Sequence, residues 1–302
     1  MKQRDPGTWP APAGSWVALP TPFARDRVDF DALRGLVEHQ IQAGSAGLVI
    51  TGTTGEAATL DNTERRAIFE FVPRVAGGRI PVIAGVGTND TRTTVLFAGD
   101  AERAGCDGLL VVTPFYNRPT QRGLTAHYRA VAERTHLPIV LYNVPARTGV
   151  DLLPETVYGL AESHPNIVSI KEASGSLERI TEHLTHGAIE VLCGEDHQIA
   201  DALLLGASGV IGVASNVVPR LVNELVRCCR PQGDRASAAA LTATLAPLVS
   251  ALFLETNPAP VKAALSLLGL CRPGVRSPLI AVEPSTHLKI ERALTHCGLV
   301  FP

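Results

Sequence analysis

The stretch IVSIKEASG, residues 167–175, places a lysine near the end of a short run of apolar and β-branched residues. Runs of this length between turn signals are typical of strands buried on both faces of a parallel sheet. We therefore predict a buried strand that ends near Lys171. An unpaired ammonium group is costly to desolvate there, so the lysine is either ion-paired or works as a neutral amine.

The same strand pattern occurs eight times along the chain and indicates the fold. Apolar runs begin near residues 15, 46, 81, 108, 138, 167, 190 and 209, and helical periodicity fills the stretches between them. Eight such units predict an α/β fold, a (β/α)8 TIM barrel, more readily than an open sheet. After Arg230 helix follows helix. We predict a loose leader at 1–14, the barrel at 15–230 and a C-terminal helical appendix at 231–302.

Composition restricts the class of partner. The 302 residues carry a formal net charge of −2 without a block of Lys or Arg, which argues against nucleic acid or an anionic membrane and favours a small-molecule ligand. We find no signal peptide and expect no segment as long as a membrane span. The six cysteines have no regular spacing, and histidines do not converge with carboxylates. We expect a cytoplasmic protein without a disulfide framework or a bound metal.

Polar residues at the ends of the strands are the candidates for chemistry, because a TIM barrel has its active site at that face. Of the four lysines only Lys171 ends a predicted strand. Burial at a barrel mouth favours the neutral amine, which is a nucleophile toward ketones. The alternative is a structural ion pair with Glu172 or another carboxylate.

Three further strand ends offer weaker signals. Tyr142 carries a phenol that can transfer a proton, although a strand-end tyrosine is often only a half-buried aromatic. Arg147 follows in a predicted loop, where it either grips a carboxylate or is a surface arginine. The turn GTTGE, residues 52–56, offers backbone N–H groups and hydroxyls as an anion cradle. GEDH, residues 194–197, is interpreted as a helix N-terminus with acidic capping.

Six segments taken together carry a resemblance. In order they are GTTGEAATL, VTPFYNRPTQRGL, LYNVPARTG, SIKEASG, GVIGVASN and NPAPVK. Their order and spacing resemble the dihydrodipicolinate synthase and N-acetylneuraminate lyase family, over a region from about Ala18 to the C-terminus. The resemblance implies a lyase of the class I aldolase type that works without a metal or an organic cofactor. Such an enzyme acts in the biosynthesis of diaminopimelate and lysine, and it is a homotetramer built from two tight dimers.

The resemblance also implies roles for the catalytic residues. Lys171 forms a Schiff base with pyruvate, and this raises the odds of amine chemistry over those of an ion pair. Tyr142, Thr53 and Tyr116 form a proton relay to solvent, with Tyr116 contributed by the adjacent subunit. Retention of all four residues argues against a catalytically silent relative that only binds a keto acid.

Substrate contacts are implied in the same way. Thr54, with Thr53, holds the pyruvate carboxylate, Ile211 lines the pyruvate pocket, and Gly194 supplies a backbone carbonyl. Arg147 holds the carboxylate of L-aspartate 4-semialdehyde, the acceptor in the synthases. A sugar-acid aldolase or dehydratase with another acceptor is the alternative within the family, and the arginine favours the synthase.

One departure concerns regulation. Members that lysine inhibits tend to have histidines and a glutamate around an allosteric cleft at the dimer interface, and a tyrosine before the relay tyrosine. At the corresponding places this chain has Asn62, Arg65, Thr93 and Phe115, although Asn89 is kept. We therefore predict that feedback inhibition by lysine is weak or absent.

Overall fold

Eight parallel strands close into a barrel in the computed structural model, which describes residues 13–301. A small hairpin, β2 (Phe23–Ala24) with β3 (Arg27–Val28), is additional to the predicted runs. The barrel strands are β1 (Gly14–Ala18), β4 (Gly47–Ile50), β5 (Val82–Gly85), β6 (Gly108–Val112), β7 (Ile139–Asn143), β8 (Ile167–Glu172), β9 (Glu190–Cys193) and β10 (Gly209–Gly212). Pairing of β1 with both β4 and β10 closes the barrel, which confirms the predicted fold.

Helices follow the strands, and several start at a side chain that caps the first turn. Asp61 and Glu64 form a reciprocal capping box at one of these starts, and Ser176 caps another. The helices are α1 (Phe30–Ala43), α2 (Asn62–Ala76), α3 (Thr91–Arg103), α4 (Gln121–Ala132), α5 (Pro145–Thr148), α6 (Pro154–Ser163), α7 (Leu177–His186), α8 (Ile199–Leu205), α9 (Pro219–Cys228), α10 (Arg235–Leu252), α11 (Ala259–Leu267) and α12 (Pro284–His296).

The core has two layers, because side chains of successive strand residues point to opposite faces. One layer lies between the strands and the surrounding helices. The other fills the barrel interior and includes Trp16, Val49, Ile83, Leu192 and Ile211. The interior is therefore packed with side chains below the strand ends.

The C-terminal helices are tied to the barrel by a buried ion pair. Lys262 in α11 contacts the carboxylate of Glu56 in the turn after β4, and its ammonium group also donates to the carbonyl of Gly274 over 2.8 Å. Both charged side chains are almost completely buried. This contact links α11 to the GTTGE turn. Residues 1–12 of the predicted leader lie outside the described residues, and β1 begins at Gly14.

The expectation that no segment reaches the length of a membrane span was wrong. Helix α10 has 18 residues and a mean hydropathy of 1.3, so by length and composition alone it could cross a membrane. It packs against α9 and α12, with Leu245, Leu248 and Leu252 buried. The packing of the C-terminal helices therefore accounts for the buried apolar residues of this helix.

Candidate active site

The C-terminal ends of the strands enclose a small cavity of about 50 Å³. Its lining brings together seven of the eight predicted site residues: Thr53, Thr54, Tyr142, Arg147, Lys171, Gly194 and Ile211. A wider cleft of about 340 Å³ shares part of this lining and extends the mouth. The position agrees with the general location of active sites in TIM barrels.

Lys171 and Tyr142 face each other inside the barrel. They are register partners on the paired strands β7 and β8, and Nζ of Lys171 lies 4.3 Å from the centroid of the Tyr142 ring. Both side chains are buried, and within the described part of the chain Nζ makes no ion pair. The alternative pair with Glu172 is excluded, because that side chain leaves the strand on the opposite face and contacts Asn143 and His183.

Gly194 leaves the space that the lysine side chain occupies. A Cβ atom at this position would lie 2.9 Å from Cε of Lys171 and 2.6 Å from Cβ of Ala173. Its own N–H donates to the carbonyl of Glu172 over 2.8 Å. Ile211, on β10, contributes an apolar wall to the same cavity.

The GTTGE turn after β4 forms another wall. Thr54 is buried, and its hydroxyl accepts a hydrogen bond of 3.0 Å from the side-chain amide of Asn257. Gly55 is needed for the tight turn, because a Cβ atom there would lie 2.9 Å from the backbone of Thr51. Thr53 and Thr54 therefore line the cavity from a tightly packed turn.

Arg147 lies in a short helix, so the predicted loop was wrong. Helix α5 begins with Pro145 and ends at Gly149 in the left-handed conformation, which satisfies an end carbonyl. The arginine is exposed and lines both the small cavity and the wide cleft. A guanidinium group at this boundary is suited to bind a carboxylate that enters from solvent.

Tyr116 is the predicted site residue that this single chain does not bring to the cavity. Its side chain is 87% exposed, and it is absent from the lining of both cavities. Its backbone has a φ of 72°, unusual for a residue other than glycine, and its N–H donates to the carbonyl of Thr148. In the single chain the ring of Tyr116 therefore projects into solvent.

Comparisons with known proteins agree with this geometry. The profile of the Dihydrodipicolinate synthetase family matches residues 11–297. The chain belongs to this family. The 4-hydroxy-tetrahydrodipicolinate synthase of Syntrophus aciditrophicus is 46% identical over 289 residues, which cover 95% of this chain and 99% of the relative. The enzyme of the same name from Chelativorans sp. is 47% identical over 290 residues, with the same coverage.

A solved structure is similar over the whole fold. The dihydrodipicolinate synthase of Acinetobacter baumannii, complexed with pyruvate, superposes with a TM-score of 0.92 and is 41% identical. The match covers 96% of this chain and 100% of that one. The family predicted from the six segments, its barrel fold and its enzyme class are therefore confirmed.

Two further members of the site in this dihydrodipicolinate synthetase family protein were not assigned a catalytic or binding role from the sequence. Asn257 lines both cavities from the C-terminal helical region. Glu195 lines the small cavity. Burial raises the pKa of its carboxyl group, although the nearby Lys171 acts in the opposite direction. A signal existed for both, since they lie within the NPAPVK and GEDH segments, but the segments alone do not show what these side chains contact.

The acidic capping predicted for residues 194–197 was also wrong. Neither acidic side chain caps the short helical turn that starts at Asp196. The carboxylate of Asp196 instead accepts hydrogen bonds from the backbone N–H groups of Val213 and Ala214, over 2.7 to 3.0 Å. It therefore fixes the end of β10, next to Ile211.

Proposed function

We propose that the protein condenses pyruvate with L-aspartate 4-semialdehyde, the reaction of a 4-hydroxy-tetrahydrodipicolinate synthase. The observation that carries the proposal is Lys171, a buried lysine without an ion pair in the described chain, which faces Tyr142 at the cavity. The synthase name of relatives that are 46% and 47% identical supports this choice of reaction.

In the proposed reaction, the neutral Nζ of Lys171 attacks the keto carbon of pyruvate, and loss of water leaves a protonated imine. The imine withdraws electrons, so the methyl group loses a proton and becomes an enamine carbon. This carbon forms a bond to the aldehyde carbon of the second substrate. The amino group of that substrate then attacks the imine carbon, which closes the ring and releases the lysine amine.

Tyr142 is the proposed acid and base of these proton transfers, because its phenol group shares the cavity with the amine. Thr53 and the Tyr116 of a second subunit would extend the relay to solvent. The outward direction of Tyr116 in the single chain supports this assignment. We expect Tyr116→Phe to lower turnover several-fold without changing the midpoint of thermal unfolding. An unchanged turnover would remove this residue from the relay.

The two substrates carry carboxylates that need partners. The Thr53–Thr54 turn is the proposed site for the pyruvate carboxylate, with the backbone near Gly194 and Ile211 completing the pocket. Arg147 is the proposed partner of the acceptor carboxylate, because it lies where the small cavity meets the wide cleft. A charge-assisted bond of this kind contributes about 1.5 to 3 kcal/mol, enough to favour a carboxylate-bearing acceptor more than tenfold.

We also propose a cytoplasmic homotetramer built from two tight dimers. The exposed Tyr116 supports a subunit contact at the mouth of the barrel. All six cysteines are free thiols, in keeping with a reducing compartment. Sedimentation of the purified protein, at concentrations above and below the working range of the assay, would measure the assembly.

A coupled assay with a parallel trapping experiment tests the function. Pyruvate and L-aspartate 4-semialdehyde are supplied with a dihydrodipicolinate reductase and NADPH, and borohydride with pyruvate alone traps the imine for mass spectrometry. We expect turnover and a pyruvyl adduct on Lys171. Lys171→Arg should lose both, whereas Lys289→Arg, a matched change at an exposed lysine, should retain both.

Each other outcome has a definite meaning. An adduct without turnover keeps the Schiff base but moves the acceptor to another aldehyde, such as a sugar-derived one. Absence of an adduct from the unmodified protein contradicts the proposed chemistry and leaves a protein that only binds a keto acid.

A further inference from the structure

The two residues that directly follow Tyr142 and Lys171 contact each other on the outer side of the barrel wall. Asn143 and Glu172 are register partners, as are the two residues before them. Because side chains alternate along a strand, Asn143 and Glu172 point away from the cavity and lie beneath the surrounding helices. Both are buried, with Asn143 0% and Glu172 2% exposed.

The amide of Asn143 uses all of its hydrogen-bonding groups. One N–H donates to Oδ1 of Asp151 over 2.8 Å. The other is shared between the two carboxylate oxygens of Glu172, over 3.2 and 3.3 Å. The amide oxygen accepts from the backbone N–H of Leu152 over 3.0 Å. An aspartate here would instead place three carboxylates together, so the pattern requires an amide.

The carboxylate of Glu172 is bound by a backbone group of the following loop and lies next to a ring on α7. One oxygen also accepts from the backbone N–H of Ser174 over 2.8 Å. The other lies 3.6 Å from Nε2 of His183, a fully buried ring on α7. The hydrogen bonds to the buried carboxylate therefore come from Asn143 and Ser174, and His183 packs against it without a hydrogen bond.

Asp151 extends these contacts to the surface. Its carboxylate binds the Arg179 guanidinium through two bonds of 3.0 and 3.2 Å, and this bidentate geometry fixes its orientation. Although burial raises its pKa, hydrogen bonds from Arg179 and Asn143 lower the pKa of Asp151 overall. An ionised Asp151 is the acceptor that holds the first N–H of Asn143, so that the second faces Glu172.

We propose that the Asn143–Glu172 contact positions the phenol of Tyr142 against the amine of Lys171, a role that rests on the proposed Schiff-base function. Asn143 and Glu172, which we call the clamp, each share a peptide unit with one of the two reacting residues. A shift of either strand end therefore moves a reacting side chain. Displacement of a catalytic group by about 1 Å costs about 10²-fold in rate even when binding is retained.

Two substitutions at the clamp give the direct test. Glu172→Gln keeps the volume of the side chain but replaces one acceptor oxygen by an amino group, and Asn143→Ala removes the shared donor. We expect kcat to fall 10- to 100-fold for each, with the KM for pyruvate changed less than threefold. The double variant should lose little more than either single variant, because both changes remove one contact.

A third variant and a control keep the test informative if the clamp variants unfold. Arg179→Ala loosens the clamp from the surface without changing either strand, and we expect a smaller loss of kcat at unchanged KM. Tyr158→Phe is the control, since Tyr158 packs on His183 in the same layer and its hydroxyl has no hydrogen-bond partner among residues 13–301. It should keep the original kcat.

The outcomes separate this proposal from the proposed function. If the unmodified protein forms no borohydride adduct with pyruvate, the Schiff-base function fails, and the clamp proposal fails with it. If it forms the adduct and folded clamp variants keep their kcat, only the clamp proposal is overturned. A fall in thermal stability with kcat unchanged for Arg179→Ala assigns the network to folding alone and also overturns it.

Discussion

Gly194 and Lys171 are so close that the glycine cannot acquire a side chain without moving the lysine. A Cβ atom on Gly194 would lie 2.9 Å from Cε of Lys171, and 2.9 Å from the carbonyl oxygen of Glu172. Contacts this short force a shift in one of the partners. The lysine stem is the flexible partner and can move, but the contacts with Cβ of Ala173, at 2.6 Å, and with the Glu172 carbonyl also force a shift of the β8 end that carries the lysine.

We therefore expect Gly194→Ala to slow formation of the pyruvyl adduct at least about tenfold, because the displaced amine no longer meets the keto carbon in the right geometry. Single-turnover trapping with borohydride measures this rate. Gly159→Ala is the matched control, since a Cβ atom there meets nothing within 4 Å and the site is helical. A trapping rate for Gly194→Ala equal to that of the control would contradict the expectation.

Asn257 is expected to affect pyruvate binding through Thr54. Its amide donates to the Thr54 hydroxyl over 3.0 Å, so the hydroxyl proton is free to point toward a bound carboxylate. Removing one neutral hydrogen bond costs about 1 kcal/mol, and we expect Asn257→Ala to raise the KM for pyruvate about fivefold. Steady-state kinetics with pyruvate varied measure the change.

Thr54, the hydrogen-bond partner of Asn257, supplies the control for Asn257→Ala. Thr54→Ser keeps the hydroxyl and should leave KM within twofold of the original value. A fall in kcat with an unchanged KM in Asn257→Ala would show instead that Asn257 acts on the reaction step.

The contrast between β8 and Asn257 shows which parts of the site could be predicted from sequence. The strand was predictable because a buried apolar run depends on the composition of a few adjacent residues, and Lys171 marks its end. Asn257 is separated from Thr54 by 203 positions. No local periodicity reports a contact between a barrel turn and the helical appendix.

The two local errors have different physical origins. An acidic residue at the start of a helical turn normally caps it, but backbone N–H groups after β10 compete for Asp196 and bind it instead. The helix that carries Arg147 has only four residues, too few for a periodic signal. Tertiary contacts decide the first case, and the shortness of the helix decides the second. The resemblance supplied Thr53, Ile211 and Gly194, whose individual residue types carry little information.

Arg65 gives a physical reason for weak inhibition by lysine. It lines the wide cleft and is nearly buried, with its guanidinium group 4.4 Å from the ring centroid of Phe97 and hydrogen-bonded to the carbonyl of Ala57. Burial lowers its pKa to about 10, which leaves it positively charged at neutral pH. Arg65 and Phe115, two of the four positions that differ from the lysine-inhibited members, line this cleft, and a fixed cation there disfavours the side-chain ammonium group of lysine.

We expect L-lysine at 1 mM to leave turnover nearly unchanged. This concentration is about a thousand times the dissociation constant of an inhibitor that binds in the micromolar range. Titration in the coupled assay measures this effect. L-norleucine is the control, because it has the same carbon stem without the side-chain ammonium group. Strong inhibition at micromolar lysine would refute the prediction made from positions 62, 65, 93 and 115.

The free energy of unfolding is expected to depend on pH through His127. This ring is buried, its Nδ1 pairs with the Thr91 hydroxyl over 2.9 Å, and Nε2 has no hydrogen-bond partner in the described chain. Desolvation lowers its pKa to about 4, although the charge of Asp90 acts in the opposite direction. The unfolded chain has the ordinary value of about 6.5, so between these two pH values only the unfolded state takes up the proton.

Stability is therefore lost as pH falls from about 6.5 toward 4, by up to about 3 kcal/mol from this group. Urea unfolding at pH 7 and pH 5 measures the loss. His127→Asn retains a polar partner for Thr91 but has no titrating ring, so its free energy of unfolding should decrease less between the two pH values. Equal decreases for the variant and the original protein would assign the pH dependence to other groups, because the contribution of His127 requires a ring that stays neutral only in the folded state.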